Sequence, residues 1–359
     1  MALFQNNPST AKKQVNVDNT SLNILLAVFA TLLIVLLATG IYFICAAGSN
    51  NGPIFGGNDS PTGSTGDYPY KQEISVTVPH ITDDTEGISA RTEGSTTGIY
   101  SEFAALIDMT DGKIIASKKG EREIYPASMC KVMTLIVAIE NLPTEDAMDK
   151  ELTITKEVVE TMFAEGASGY GFKEGEVLTV RALLHALILQ SDGVAAMTLA
   201  EYIAGSESAF VQMMNDKAQE IGMEDTAFQN CTGLDHEYLL TSCRDMGVMM
   251  MYAMQNPFCA EILSAKSYQL PNTFRQETGN TYTLYHATLA SKFDKLKPNT
   301  TTVEVLAAKS GWTGKNSGYC LVTYAVGENG HKYVLVTAKA GSSEESIADM
   351  VYIYNTYAK

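Results

Sequence analysis

Basic residues are in short supply: 25 Lys and Arg stand against 41 Asp and Glu, a formal net charge of −16. A nucleic-acid binder needs a basic face to neutralise phosphates, so that class is set aside. Cysteine is scarce as well, with 6 in 359 residues, none in a Cys-x-x-Cys pair or at ligand spacing from a histidine. Cys45 falls in an apolar run, and the others (Cys130, Cys231, Cys243, Cys259, Cys320) are scattered and odd in number. Neither a disulfide framework nor a zinc site is expected, and no other metal or organic cofactor is implied; the thiols read as small apolar filler. Tryptophan occurs once, at Trp312, and no internal repeat is present.

What the chain does hold, near its start, is one long apolar segment. Residues 24–47, ILLAVFATLLIVLLATGIYFICAA, run for 24 residues without a charge, enough to cross a bilayer with some tilt. Lys12 and Lys13 precede it, and the first charges beyond it, Asp59 and Asp67, are acidic. That asymmetry places residues 1–23 in the cytoplasm and everything after residue 47 outside. The run is longer than a signal-peptide core, so an uncleaved single-pass anchor is expected. Lipidation at Cys45 is disfavoured by the bulky Ile44 before it. Residues 48–97 are rich in Gly, Ser, Thr, Asn, Asp and Pro and read as a flexible linker, although EISVTVPHI within them alternates like a short strand.

The remaining stretch, 98–359, is a domain of ordinary size, and at 45% hydrophobic residues the chain as a whole can bury a sizeable core. SEFAALIDMTDGKIIASKKG predicts two strands joined at Asp111-Gly112. Helical patterns follow around Ser128 and at about 156–164, 179–190, 192–204, 206–221 and 242–255. After residue 300 strands return in VEVLAAKS, GYCLVTYAV and HKYVLVTAKA, and EESIADMVYIYNTYAK closes as an amphipathic helix. Strands at both ends with helices between predict an α+β domain: an antiparallel sheet flanked by helices, with a helical second lobe.

Three short stretches carry chemistry-bearing residues. In YPASMCKVMT, Ser128 and Lys131 stand three positions apart, one turn of a helix that begins near the serine. The helix start offers N–H groups to a developing negative charge, and burial would drive Lys131 toward its neutral form, fit to take the Ser128 proton. The spacing alone is weak, since Ser9 and Lys12 repeat it in the N-terminal tail, and a lysine at a helix edge can also reach water. AAKSGWTG places Lys309, Ser310, Gly311, Trp312 and Thr313 at the end of a strand, where a cation and hydroxyls can hold a carboxylate and the glycine lets another backbone come close. LLHALILQSDGVAAMTLA sets Ser191 between two helical runs, where it and Asp192 can equally cap the second helix.

Taken in order, these make a Ser-x-x-Lys, Ser-x-Asn-like and Lys-Ser/Thr-Gly set. With IYPASMCKVMT, GYGFKEGEVLTVRALLHALILQSDGVAA, MNDKAQEIGMEDTAFQNCTGLD, TSCRDMGVMM and AAKSGWTGKNSGYCLV, the domain from about 99 to 359 resembles the serine-type D-alanyl-D-alanine carboxypeptidases, the low-molecular-mass penicillin-binding proteins of bacterial cell walls. The resemblance implies a β-lactamase/transpeptidase-like fold held at the bacterial cell membrane. It implies that Ser128 attacks the penultimate D-alanine carbonyl of a peptidoglycan stem peptide and that Lys131 is the general base. Ser191 would relay a proton to the departing D-alanine, while Lys309 and Thr313 hold the terminal carboxylate with Ser310 and Gly311 along the strand. The N–H groups of Ser128 and Trp312 would form the oxyanion hole, and water would release the acyl-enzyme. β-Lactam antibiotics would acylate the same serine.

The chain departs from that pattern in places. Gly193 stands where the second motif has its asparagine, whose amide contacts the substrate and the nearby lysine, so altered or reduced activity is expected. Members with a strand-rich C-terminal domain and an amphipathic tail continue past the equivalent of Lys359; here the N-terminal span would serve as anchor. The arginine many members carry near the last helix is not evident in GSSEESIADM, with Lys339 the nearest cation. Two alternatives follow: a catalytically impaired wall-binding or regulatory relative, which Gly193 supports, and a β-lactamase. The second needs a glutamate with asparagine four positions on, whereas Glu224 is followed there by Phe228.

Overall fold

The structure, a computed structural model, describes residues 82–142, 144–271, 274–275, 280–293, 301–314 and 316–358. The tail, the apolar segment 24–47 and EISVTVPHI lie outside the described residues. Among those described, no helix is long and apolar enough to cross a membrane.

A six-stranded sheet forms the frame. Its strands are β1 (Thr82–Gly87), β2 (Phe103–Asp108), β3 (Lys113–Lys118), β8 (Val303–Gly311), β9 (Tyr319–Gly327) and β10 (Lys332–Ala340), in the order β1-β3-β2-β10-β9-β8. β2 and β3 form the expected hairpin: Asp108 accepts the N–H groups of Thr110 (2.8 Å) and Asp111 (3.2 Å), and Gly112 takes φ 66°. β10 lies antiparallel between β2 and β9, with Leu335 opposite Leu106, so strands from the two ends of the domain close one sheet. Only β1, beside β3, runs parallel to its neighbour. β1 falls inside the stretch read from sequence as linker, and Ile88 and Ile99 are buried behind it. The folded region therefore begins at least as early as Thr82, not at Gly98. TDDTEG gives no alternation, and it is the pairing with β3 that makes it a strand.

Alternate side chains of the strands feed two cores. Ile107, Ile114, Val334 and Val336 join the helical body, whereas Leu106, Leu321 and Leu335 pack with Met350, Ile353 and Tyr354 of the C-terminal helix. The body holds α1 (Lys131–Glu140), α2 (Lys156–Ala164), α3 (Val180–Leu189), α4 (Gly193–Ala204), α5 (Glu207–Glu220), α6 (Cys243–Ala253) and α7 (Pro257–Ser264); α8 (Ser343–Tyr357) covers the other face. α1 is buried from Lys131 to Ile139 and packs against α3, α4, α5, α6 and α7, as its unbroken apolar sequence requires. Side-chain caps start each of the other seven described helices: Thr155, Thr179, Asp192, Ser206, Ser242, Asn256 and Ser342 each accept a first-turn N–H. Four three-residue strands complete the fold: β4 (Glu151–Thr153) pairs with β5 (Val177–Thr179), and β6 (Ser267–Gln269) with β7 (Thr283–Tyr285).

Candidate active site

Ser128 stands on a 3-10 turn, Ala127–Cys130, that runs straight into α1. The helix thus begins one turn later than the sequence suggests, and Lys131 is its first residue. Ala127 takes φ 47°, a left-handed conformation that costs an alanine about 1 kcal/mol. Two glycines make room for it. A Cβ on Gly233 would lie 2.0 Å from the Ala127 carbonyl oxygen, and one on Gly311 would lie 2.8 Å from the Ser128 nitrogen. The end of β8 consequently lies close against the Ser128 N–H group.

Lys131 is 2% exposed, with Nζ 3.2 Å from Ser128 Oγ and donating to the Thr232 carbonyl. Burial lowers its pKa, opposed by the negative form of Cys130 and Cys231 and by Asp192. Lys309, also 2% exposed, points Nζ at Ser191 Oγ (3.0 Å) and at the Ser310 carbonyl (2.8 Å). Burial holds it well below the usual lysine range, and the Lys131 charge pushes the same way. Two buried amines therefore each hold a serine hydroxyl, in one electrostatic neighbourhood. His286 lies in it too, accepting the Thr288 and Leu289 N–H groups on Nδ1 (3.1 and 3.2 Å). Burial, then Lys309, push its pKa down to about 3.

Ser191 bridges α3 and α4 at φ 56°. Asp192 is fully buried and caps α4, one oxygen accepting the Ala195 N–H (2.8 Å) and the other the Tyr170 N–H (2.6 Å). Its carboxyl is pushed up by burial and held down by those N–H groups and Lys131. Gly193 begins α4 and donates to the Ser168 carbonyl (2.9 Å). A Cβ there would lie 2.6 Å from Ala167 Cβ and 3.1 Å from Met162 Sδ, so the motif position that departs from the family has no room for a side chain.

The rest of the third motif faces elsewhere. Ser310 Oγ is 2.9 Å from Thr288 Oγ1, on the side of β8 away from Lys309. Thr313 donates to the Asp235 carboxylate, and its N–H donates to Ser317 Oγ (2.9 Å). Trp312 is 56% exposed and stacks on Tyr319 at 5.9 Å. Lys339, at φ 62° and 3.4 Å from Glu102, borders a surface groove that Trp312 and Tyr319 also line. Glu224 is exposed and Phe228 buried, so neither offers the water-activating pair of a β-lactamase. The five described cysteines are free and buried. Sequence reasoning missed Thr232, Gly233, Asp235 and His286; the NCTGLD match contained the first three, with no local signal of what they would touch.

The D-alanyl-D-alanine carboxypeptidase family matches residues 90–341. Over 225 residues the chain is 30% identical to the D-alanyl-D-alanine carboxypeptidase DacF of Bacillus subtilis, covering 63% of this chain and 54% of that one. Over 147 residues it is 31% identical to DacC of Escherichia coli, covering 40% and 37%. The chain thus spans about half, or less, of the length of these curated relatives. Among solved structures, a mutant of a Streptomyces DD-transpeptidase superposes with a TM-score of 0.62 at 22% identity, covering 72% of this chain and 98% of that one. A Mycobacterium tuberculosis D-alanyl-D-alanine carboxypeptidase gives 0.58 at 22% identity, over 73% and 94%. With the family matched across most of the chain, and its fold shared, this protein belongs to the D-alanyl-D-alanine carboxypeptidase family.

Proposed function

We propose that this chain removes the terminal D-alanine from peptidoglycan stem peptides through an acyl-enzyme on Ser128, and that β-lactams acylate the same residue. The observation that carries this is the pairing of two buried lysines with two serines: Lys131 with Ser128 (3.2 Å) and Lys309 with Ser191 (3.0 Å). Neutral Lys131 takes the Ser128 proton as Oγ bonds to the carbonyl carbon. The Ser128 and Trp312 N–H groups receive the oxyanion. The proton passes by way of Ser191 to the leaving D-alanine nitrogen, which departs as the C–N bond breaks. Water then attacks the ester and frees Ser128. β8 is the edge strand, so an extended peptide can lie along it with its carboxylate toward Lys309 and Thr313. The substrate carboxylate would compete with Asp235 for the Thr313 hydroxyl.

A membrane anchor at residues 24–47, with the domain on the outer side of a bacterial cell membrane, is part of the same reading. It is supported by the 24 uncharged residues and by Lys12 and Lys13 before them. The impaired-relative reading rests on Gly193 alone. One experiment separates the readings: incubate the full chain with a fluorescent penicillin, locate the adduct by mass spectrometry, and assay D-alanine release from a peptide ending in D-Ala-D-Ala. A stable adduct on Ser128 with release is the expected result. Rapid drug turnover would mean a lactamase, and neither adduct nor release in folded protein would refute the enzyme reading.

A further inference from the structure

Ser191 must hold a conformation that serine disfavours. Its φ of 56° lies in the left-handed region, which a serine holds only where its surroundings fix it. On the α3 side, the N–H groups of Gln190 and Asp192 both donate to the Ala186 carbonyl, at 3.1 and 3.2 Å. On the α4 side, the Asp192 carboxylate makes two of the three fixing bonds and the Gly193 N–H the third. The Asp192 carboxylate reaches forward to the Ala195 N–H (2.8 Å) and sideways to the Tyr170 N–H (2.6 Å), and the Gly193 N–H reaches the Ser168 carbonyl (2.9 Å). The loop at 168–170 is thereby strapped to the first turn of α4. Gly169 permits the approach, because a Cβ on it would fall 2.4 Å from Asp192 Oδ2. Gly193 permits it again, because Ala167 occupies the space that its side chain would need.

We propose that Asp192 is a positioning residue that sets Ser191 against Lys309 by clamping the 168–170 loop to the start of α4, and that Asp192 and Gly193 are a matched pair, so that the clamp and a side chain at 193 exclude one another. The inference rests on the function proposed above for its kinetic readout, but its geometry is separate. A carboxylate is required because both oxygens accept from N–H groups, and an asparagine would turn its NH2 on one of those donors. The departure at position 193 is then the counterpart of an aspartate at 192, and it does not mark decay of the site.

The test uses the full chain in detergent, a fluorescent penicillin as probe, and acylation rate per folded protein at a temperature where circular dichroism shows every variant folded. Asp192→Asn should slow acylation about tenfold or more, as loss of an oriented proton-transfer group does. In a Ser191→Ala background the same change should shift the remaining rate by no more than about twofold, because Asp192 acts through Ser191. Losses that multiply across the two backgrounds would show a merely structural role and overturn the proposal. Gly193→Asn, although it restores the family's motif, should slow acylation, and Ala167→Gly added to it should recover part of the rate. A Gly193→Asn protein faster than wild type would overturn the matched pair. If the wild type itself is not acylated, the proposed function fails and the clamp is judged by the crystal structure of Asp192→Asn. Ser191 Oγ beyond hydrogen-bonding distance of Lys309 Nζ supports the clamp; an unchanged contact refutes it.

Discussion

An amine enclosed as Lys131 is holds a proton weakly, and that single property links its burial to its chemistry. If Lys131 is the base proposed above, acylation should rise with pH and level off with a midpoint below the 10.5 of a solvated lysine, since a base must be neutral to take a proton. A rate-against-pH profile with fluorescent penicillin checks this, and a midpoint at or above that value would remove Lys131 from the role of base. The Ser128–Lys131 spacing was legible in the sequence, but so was Ser9–Lys12, and spacing alone does not tell which lysine is enclosed. What encloses Lys131 arrives from more distant chain: Thr232 takes its N–H, and Gly233 lets that backbone lie on the Ala127 carbonyl. Spacing along a chain says nothing of such partners. Asp192 was legible as a helix cap, because capping is local; its second bond, to Tyr170, was not.

Elements set the distances that residues use. β8 carries Lys309 and ends at Gly311, whose missing side chain lets an edge strand reach the turn that precedes α1. Gly311→Ala would drive a methyl group to 2.8 Å from the Ser128 nitrogen and 2.9 Å from Ala127 Cβ. Overpacking of that kind should destabilise the domain by about 1–3 kcal/mol and, by displacing the turn, remove penicillin labelling altogether. Denaturant unfolding and the labelling assay read the two effects, and an alanine variant that labels at the wild-type rate would show that β8 has slack at this point. The helices at 156–164, 179–190, 192–204, 206–221 and 242–255 were legible to within two residues at each end, because each couples an apolar stripe to a capping side chain. α7 went unread although Asn256 and Pro257 mark its start, for its eight residues are too few to show a period. The three-residue strands β4 to β7 fail for the same reason, and β1 because its pairing is non-local.

At the scale of the whole molecule, acid acts through histidines kept neutral inside. His286, with its pKa pushed down to about 3, stays unprotonated in the fold while the unfolded chain takes up protons near pH 6.5, and burial lowers His185 in the same direction. The contribution of His286 is intact above that pH and is lost progressively as pH falls toward 3, with His185 adding in the same direction, so urea midpoints should drop between pH 7.5 and pH 5. A His286→Asn variant should lose less over that interval than the wild type; an equal loss would place the acid sensitivity elsewhere. The α+β plan itself was legible from strands at both ends with helices between. That β10 would insert between β2 and β9 was not, since register is decided by which apolar faces meet. The insertion bears on the time at which the protein becomes itself. During synthesis the hairpin of β2 and β3 emerges with its inner edge bare, and the strand that covers it is made roughly two hundred residues later. Until then the nascent chain presents an open template for stray pairing, and a holding chaperone is the class of helper such a schedule calls for.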